Sequence, residues 1–137
     1  SKLTKEEFEI IKTHSMKGME IICTAFPNTN YLHDDLFTPE MSAIIEMTKT
    51  IIFQHHERID GSGYPNGLKG HKIDLFSKIV SVADVFDAIT SKRIYKTKQT
   101  SDLAIKEIVE EQFEKYDPLI LEAFLRTQGK SRLQSLQ

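Results

Sequence analysis

Pro39 to Gly70 reads PEMSAIIEMTKTIIFQHHERIDGSGYPNGLKG, and its period changes partway along. Up to Gln54, Met41, Ile44, Ile45, Thr48, Ile51 and Ile52 recur at helical spacing and form one inward stripe. Extended by a turn, that stripe reaches His55 and His56. Thr38 is placed to cap the helix, and Pro39 fits its first turn. Beyond His56 the regularity stops. Four of the chain's six glycines, Gly61, Gly63, Gly67 and Gly70, follow in quick succession. Two easily metallated side chains therefore abut the least regular backbone of the molecule.

Outward from this stretch the pattern stays helical, with no convincing strand. Thr4 and Glu7 form a capping box, with Leu3 and Phe8 placed as a hydrophobic staple. That helix runs to about Ala25, with Phe8, Ile11, Met19 and Ile22 near one face. Residues 28–37 read as a loop. Asp74 begins a third helix, to about Ser91, apolar at Phe76, Ile79, Val80, Ala83 and Phe86. Thr100 or Ser101 caps a fourth, with Leu103, Ile108, Val109 and Phe113 inside. Asp117-Pro118 opens a fifth, which Gly129 ends. Residues 130–137 form a weakly specified tail. The fold class is all-α, a bundle of about five helices.

The chain's 137 residues suit one domain with one core. Net charge is −2, from 18 basic and 20 acidic residues, so nothing argues for a general nucleic-acid or membrane binder, and no DNA or RNA duplex is expected as a partner. No apolar run reaches the ~18 residues of a membrane span. The single cysteine, Cys23, allows no internal disulfide and fits a reducing, cytoplasmic setting. Its helical context reads as core. The opening SKLTKEEFEII reads as the start of a helix rather than of a gene product, so a fragment is expected.

His14 sits at the edge of the first helix's apolar face. Asp84 lies mid-helix between Ala83 and Val85, where a buried carboxylate needs a partner or a metal. His14, His55, His56 and Asp84 make a plausible divalent-metal set. Adjacent helical residues point ~100° apart, so His55 and His56 more naturally serve two metals, or one metal and its surroundings, than chelate one ion. A centre with several metals suits phosphoryl chemistry. Bland readings stand beside this one: satisfied core histidines, a frayed HH helix end, and Asp84 paired with Arg93 or Lys78.

The segments HHERIDGSGYPNGLKGHKI, SKIVSVADVFDAITSKRIYK and LTKEEFEIIKTH, with Tyr116-Asp117-Pro118, resemble the HD-GYP family of HD-type phosphohydrolases. The resemblance implies an HD-domain-like helical bundle that hydrolyses cyclic di-GMP to pGpG or GMP with metal-activated water. It implies two or three divalent ions, iron or manganese. By position, His14, His55, His56 and Asp84 match metal ligands. Gly63, Tyr64 and Pro65 are the GYP itself and match residues shaping the substrate pocket. Arg93 and Lys96 match residues holding the substrate phosphates. The residues agree: glycines allow close backbone approach, an aromatic can stack a base, and cations suit a phosphodiester. Equally, Tyr64 can simply pack the loop, Pro65 stiffen it, and Arg93 and Lys96 form a solvated helix end. Asp60 and Asp87 read as turn and supporting groups, and Glu57 as orienting a neighbouring histidine.

Two departures matter. No histidine or aspartate precedes His14, so the HD pair and its nearby lysine are not among these residues. His33-Asp34 spells HD but follows His14 and reads as a decoy. The His14-to-His55 connection is also long, which marks 28–37 as an insertion. The expectation is therefore a partial HD-GYP domain across 1–137, incomplete at its N-terminus. Its four remaining ligands should hold one metal well at most. It is either part of a working phosphodiesterase or a degenerate module for regulation or protein contact. Helices left without partners would favour a homodimer.

Overall fold

The computed structural model describes residues 4–27, 38–91, 98–111 and 113–130. These form α1 (Lys5–Ala25), α2 (Pro39–Gln54), α3 (Leu75–Ser91), α4 (Lys98–Glu111) and α5 (Pro118–Thr127). Short 3₁₀ turns occupy Gly70–Lys72 and Phe113–Lys115. Among the described residues the extended pairing is confined to one isolated bridge, Asp60 with Lys69, so the all-α expectation holds. The 28–37 insertion, His33-Asp34, Leu3 of the staple, Arg93, Lys96 and residues 131–137 lie outside the described residues.

Local side chains start the helices where the sequence places them. Glu7 N–H donates to Thr4 Oγ1 at 3.1 Å, and Thr4 N–H donates to Glu7 Oε2 at 2.8 Å, closing the capping box. Thr38 Oγ1 accepts from Met41 N, with Pro39 in the first turn of α2. Asp74 Oδ1 accepts from Phe76 N at 2.9 Å at the head of α3. Asp117 accepts from Leu119 N at the head of α5, and Gly129 closes that helix at φ +67°. The fourth helix differs. It begins at Lys98, so Thr100 and Ser101 lie in its first turn instead of capping it.

Packing is uneven. α3 is the hub: α2 packs against it, as do α4 and α5, while α1 packs against α2. The core lies on the α3–α4–α5 side and consists of Val82, Ile105, Ile108, Val109, Tyr116, Leu121 and Leu125. Phe86 and Phe124 meet edge-on against it, 5.1 Å apart. On the other side the expected stripes are only partly covered. Ile45 is buried, but Met41, Ile44, Phe8 and Ile11 are exposed, as are Phe76 and Ile79 of α3 and Leu103 of α4. The neighbours these helices have hide only part of each apolar face and leave the rest uncovered. Cys23 is also exposed, contrary to its reading as core.

Candidate functional site

The end of α2 builds the site. The backbone N–H of His55 still bonds back to Ile51 O, so His55 is the C-cap, and His56 falls in the following turn. His14 reaches across from α1. One ligand atom from each of His14, His55 and His56 lies within 4.8 Å of the others. The expectation that the two adjacent histidines diverge is corrected here. His55 keeps helical backbone at φ −65° and ψ −15°, so it is the side chains that bring the two imidazoles together. The His55 and His56 rings lie 4.0 Å apart, tilted by 41°, and both face His14.

Backbone carbonyls fix two of the rings. His55 Nδ1–H donates to Ile51 O and Ile52 O, both at 3.0 Å, and His14 Nδ1–H donates to Ile11 O. That leaves the Nε2 lone pairs of His14 and His55 aimed into the cluster. His56 Nε2 lies 2.9 Å from His14 Nε2, and Asp84 Oδ2 lies 3.9 Å from His56 Nδ1. Asp84 thus flanks the trio on the far side of His56. It is 45% exposed, not the buried carboxylate the sequence suggested, and Lys78 pairs instead with Asp117 at 3.0 Å. Burial, then the Coulombic cost of a second charge beside His55, His14 and Arg58, pushes the His56 imidazole down to about 3. A neutral imidazole is the ligand form. Three imidazoles, two of them oriented by backbone carbonyls, fit one divalent transition cation.

The loop after the trio is braced from beneath. Glu57 is 2% exposed, and its two carboxylate oxygens accept from Asn66 N at 2.7 Å and Leu68 N at 2.8 Å. It therefore holds the loop, where the sequence reading had it orienting a histidine. Gly63 passes over the same turn. A Cβ there would come within 2.5 Å of Glu57 Cα and His56 O, and against Arg58 N as well. Only glycine allows that approach. Tyr64, joined to Pro65 by a cis peptide, donates its N–H to His56 O and lays its ring on His56, 4.7 Å away at 29°. Burial raises its phenol. Asp60 forms the expected turn, accepting from Ser62 N and Oγ. Asp87 is exposed on α3.

Sequence reasoning passed over Arg58 and Lys115. Arg58 Nη1 donates to His55 O, Glu57 O and Ser81 Oγ, and its guanidinium stands 5.2 Å from the Tyr116 ring. It ties the His55–Glu57 turn to α3. Lys115 O accepts from Ile59 N at 3.0 Å, bringing the turn before α5 against the loop. Beside the trio, Phe8, His56, Arg58, Gly63, Tyr64 and Lys115 line a cleft of about 260 Å³. Arg58 stood in plain view inside the quoted motif. Lys115 lies far from it in sequence, and only the fold brings the two together.

An all-helical bundle with a histidine cluster at a helix end defines a class of metal-site domains. Within that class the HD domain family matches residues 1–120, and the chain belongs to it. It is 36% identical over 135 residues to the cyclic di-GMP phosphodiesterase response regulator RpfG of Xanthomonas campestris, covering 98% of this chain and 31% of that protein. It is 40% identical over 124 residues to a cyclic di-GMP phosphodiesterase of Thermotoga maritima, covering 90% of this chain and 30% of that one. A shorter stretch of 42 residues is 62% identical to the 3'3'-cGAMP-specific phosphodiesterase 1 of Vibrio cholerae, 31% of this chain and 10% of that protein. The chain thus spans less than a third of the length of these relatives. Among the described residues no helix is long and apolar enough to cross a membrane.

Proposed function

We propose that this domain is the metal-dependent hydrolytic part of a cyclic dinucleotide phosphodiesterase, acting on cyclic di-GMP to give pGpG or GMP. The observation that carries the reading is the convergence of His14, His55 and His56 beside the loop of Gly63, Tyr64 and Pro65. The printed activities of the relatives support the substrate class. His14, His55 and His56 would hold the cation, with Asp84 beside His56. Such an ion supplies Lewis acidity toward a phosphoryl oxygen and acidifies an attacking water. The chain's own residues do the rest. Carbonyls of Ile11, Ile51 and Ile52 orient the imidazoles, Glu57 fixes the loop, and Tyr64 walls the space where a base would lie. Arg93 and Lys96 are assigned to the substrate phosphates on the resemblance. Iron or manganese fits the donor set, with two or three ions in a complete domain.

The test is hydrolysis by the purified protein loaded with manganese or iron. Linear pGpG should accumulate from cyclic di-GMP, and His55→Ala or His56→Ala should abolish it. An inactive, fully metallated protein would refute the reading. One observation favours a second reading, a degenerate module that binds without cleaving: among the described residues the ligands converge on one cation's worth of donors. Elemental analysis finding two or more tightly bound ions per chain would exclude it. To the same proposal belong 1–137 as one HD-GYP unit, a cytoplasmic location, and a homodimer through the exposed apolar side chains of α1 and α2. Light scattering showing a monomer at high concentration would remove the dimer.

A further inference from the structure

We infer that Lys115 is a substrate-binding residue, anchoring the phosphate of a cyclic dinucleotide that is not being cleaved. The inference rests on the phosphodiesterase reading above and deepens it. A cyclic dinucleotide carries two phosphodiesters, and only one can sit at the histidine trio at a time. The cleft beside His56 is where the remainder of such a molecule would extend. Its volume, about 260 Å³, is below the ~300–1,000 Å³ of pockets that enclose whole ligands. It suits part of a dinucleotide. Two aromatic rings, Phe8 and Tyr64, meet edge-on at 6.1 Å within it and offer a face to a base. Two cations, Arg58 and Lys115, supply its positive charge.

Of these cations Lys115 is the one whose head group is not tied to the scaffold among the described residues. Arg58 already spends Nη1 on three oxygens and rests on Tyr116, which makes it part of the scaffold. Lys115 is anchored through its main chain, by the Ile59 N–H to Lys115 O bond, and its ammonium forms no ion pair among the described residues. Its charge acts on Asp60. Burial acts to raise that carboxyl, but hydrogen bonds from Ser62, and then the Lys115 charge, hold it below its usual range. Ser62 N and Oγ both donate to Asp60 Oδ1, which ties that oxygen to its own turn. A lysine that lines the cleft and forms no ion pair among the described residues suits a phosphate.

Equilibrium binding of cyclic di-GMP, measured under chelator so that no turnover occurs, tests the assignment on the full chain. Lys115→Ala should weaken binding about 10-fold to 100-fold, the range of one charge-assisted hydrogen bond, while Lys115→Arg stays within about 3-fold of wild type. With metal restored, Lys115→Ala should raise KM for cyclic di-GMP. It should leave hydrolysis of bis(p-nitrophenyl) phosphate, which has a single phosphodiester, unchanged. Equal affinity of wild type and Lys115→Ala would overturn the inference while leaving the phosphodiesterase reading intact. So would loss of bis(p-nitrophenyl) phosphate hydrolysis in a folded Lys115→Ala. A chelated wild type that does not bind, yet hydrolyses when metallated, also counts against the anchor. A wild type that neither binds nor hydrolyses cyclic di-GMP removes both.

Discussion

Gly63 shows how a single residue's identity can be readable and its reason hidden. The sequence marked it as part of a signature and as a place for close approach. It did not say that the approach is to the backbone of His56, Glu57 and Arg58, the turn that carries the histidines. Gly63→Ala should therefore cost about 3 kcal/mol through overpacking against backbone that cannot yield. Thermal melts and cyclic di-GMP hydrolysis should fall together, and an unchanged melting temperature would show that the loop sits elsewhere. His56 supplies a pH prediction. Its unfolded value near 6.5 drops to about 3 in the fold. Above pH 6.5 the residue is neutral in both states and contributes no pH dependence. Between 6.5 and 3 the unfolded chain takes up a proton that the fold excludes, so stability falls as pH falls. Chelated protein should lose melting temperature between pH 7 and pH 5, and His56→Gln should lose less. Parallel curves for the two proteins would contradict this. Asp84 was legible as a residue near the site, yet its exposure was not, because a carboxylate among apolar helical neighbours says nothing about which neighbours lie opposite.

Elements were legible where local chemistry decides them. The capping box, Pro39, Asp117-Pro118 and Gly129 each act over three or four residues, and each is found as read. The start of α4 was misplaced because Lys98 lies upstream of the better capping residues Thr100 and Ser101. The stripes on α1 and α2 were drawn correctly as apolar faces but not as buried ones, since burial depends on what the rest of the fold brings against them. The loop from Glu57 to Gly70 is an element in its own right, closed by Gly70 N–H to Ile59 O and pinned at its middle by Glu57. Glu57→Gln replaces one of two acceptors with an amide that faces another N–H. It should cost about 2 kcal/mol, the scale of a buried hydrogen bond to a charged group. Metal content of the trio should persist while KM for cyclic di-GMP rises, because the change is made under Tyr64 and not at the imidazoles. A variant that lost its metal but kept its KM would place Glu57 with the histidines after all.

At the scale of the molecule, the all-α architecture was readable from period and caps, whereas the division of labour within it was not. Stability is concentrated in α3, α4 and α5, where the buried cluster lies. Truncating Ile108, which is fully buried, to Ala should cost about 2–5 kcal/mol, whereas Ile10→Ala, on an exposed position, should cost under about 0.5 kcal/mol. α1 is held differently. Its one buried residue is Ser15, and it packs against α2 but carries His14, a third of the metal cluster. A cation shared by His14, His55 and His56 would therefore join α1 to the end of α2 at the point where apolar packing holds it least. Ligand binding stabilises the state that binds by mass action, and it acts most on the segments whose opening breaks the site. Hydrogen exchange should show α1 amides opening well below the global free energy in chelated protein, with α4 and α5 the best protected. Adding Mn²⁺ should slow exchange in α1 far more than in α4 and α5, and His14→Ala should abolish that difference. A uniform slowing across all helices, or the same slowing in His14→Ala, would mean that the cation does not tie α1 to the rest of the domain.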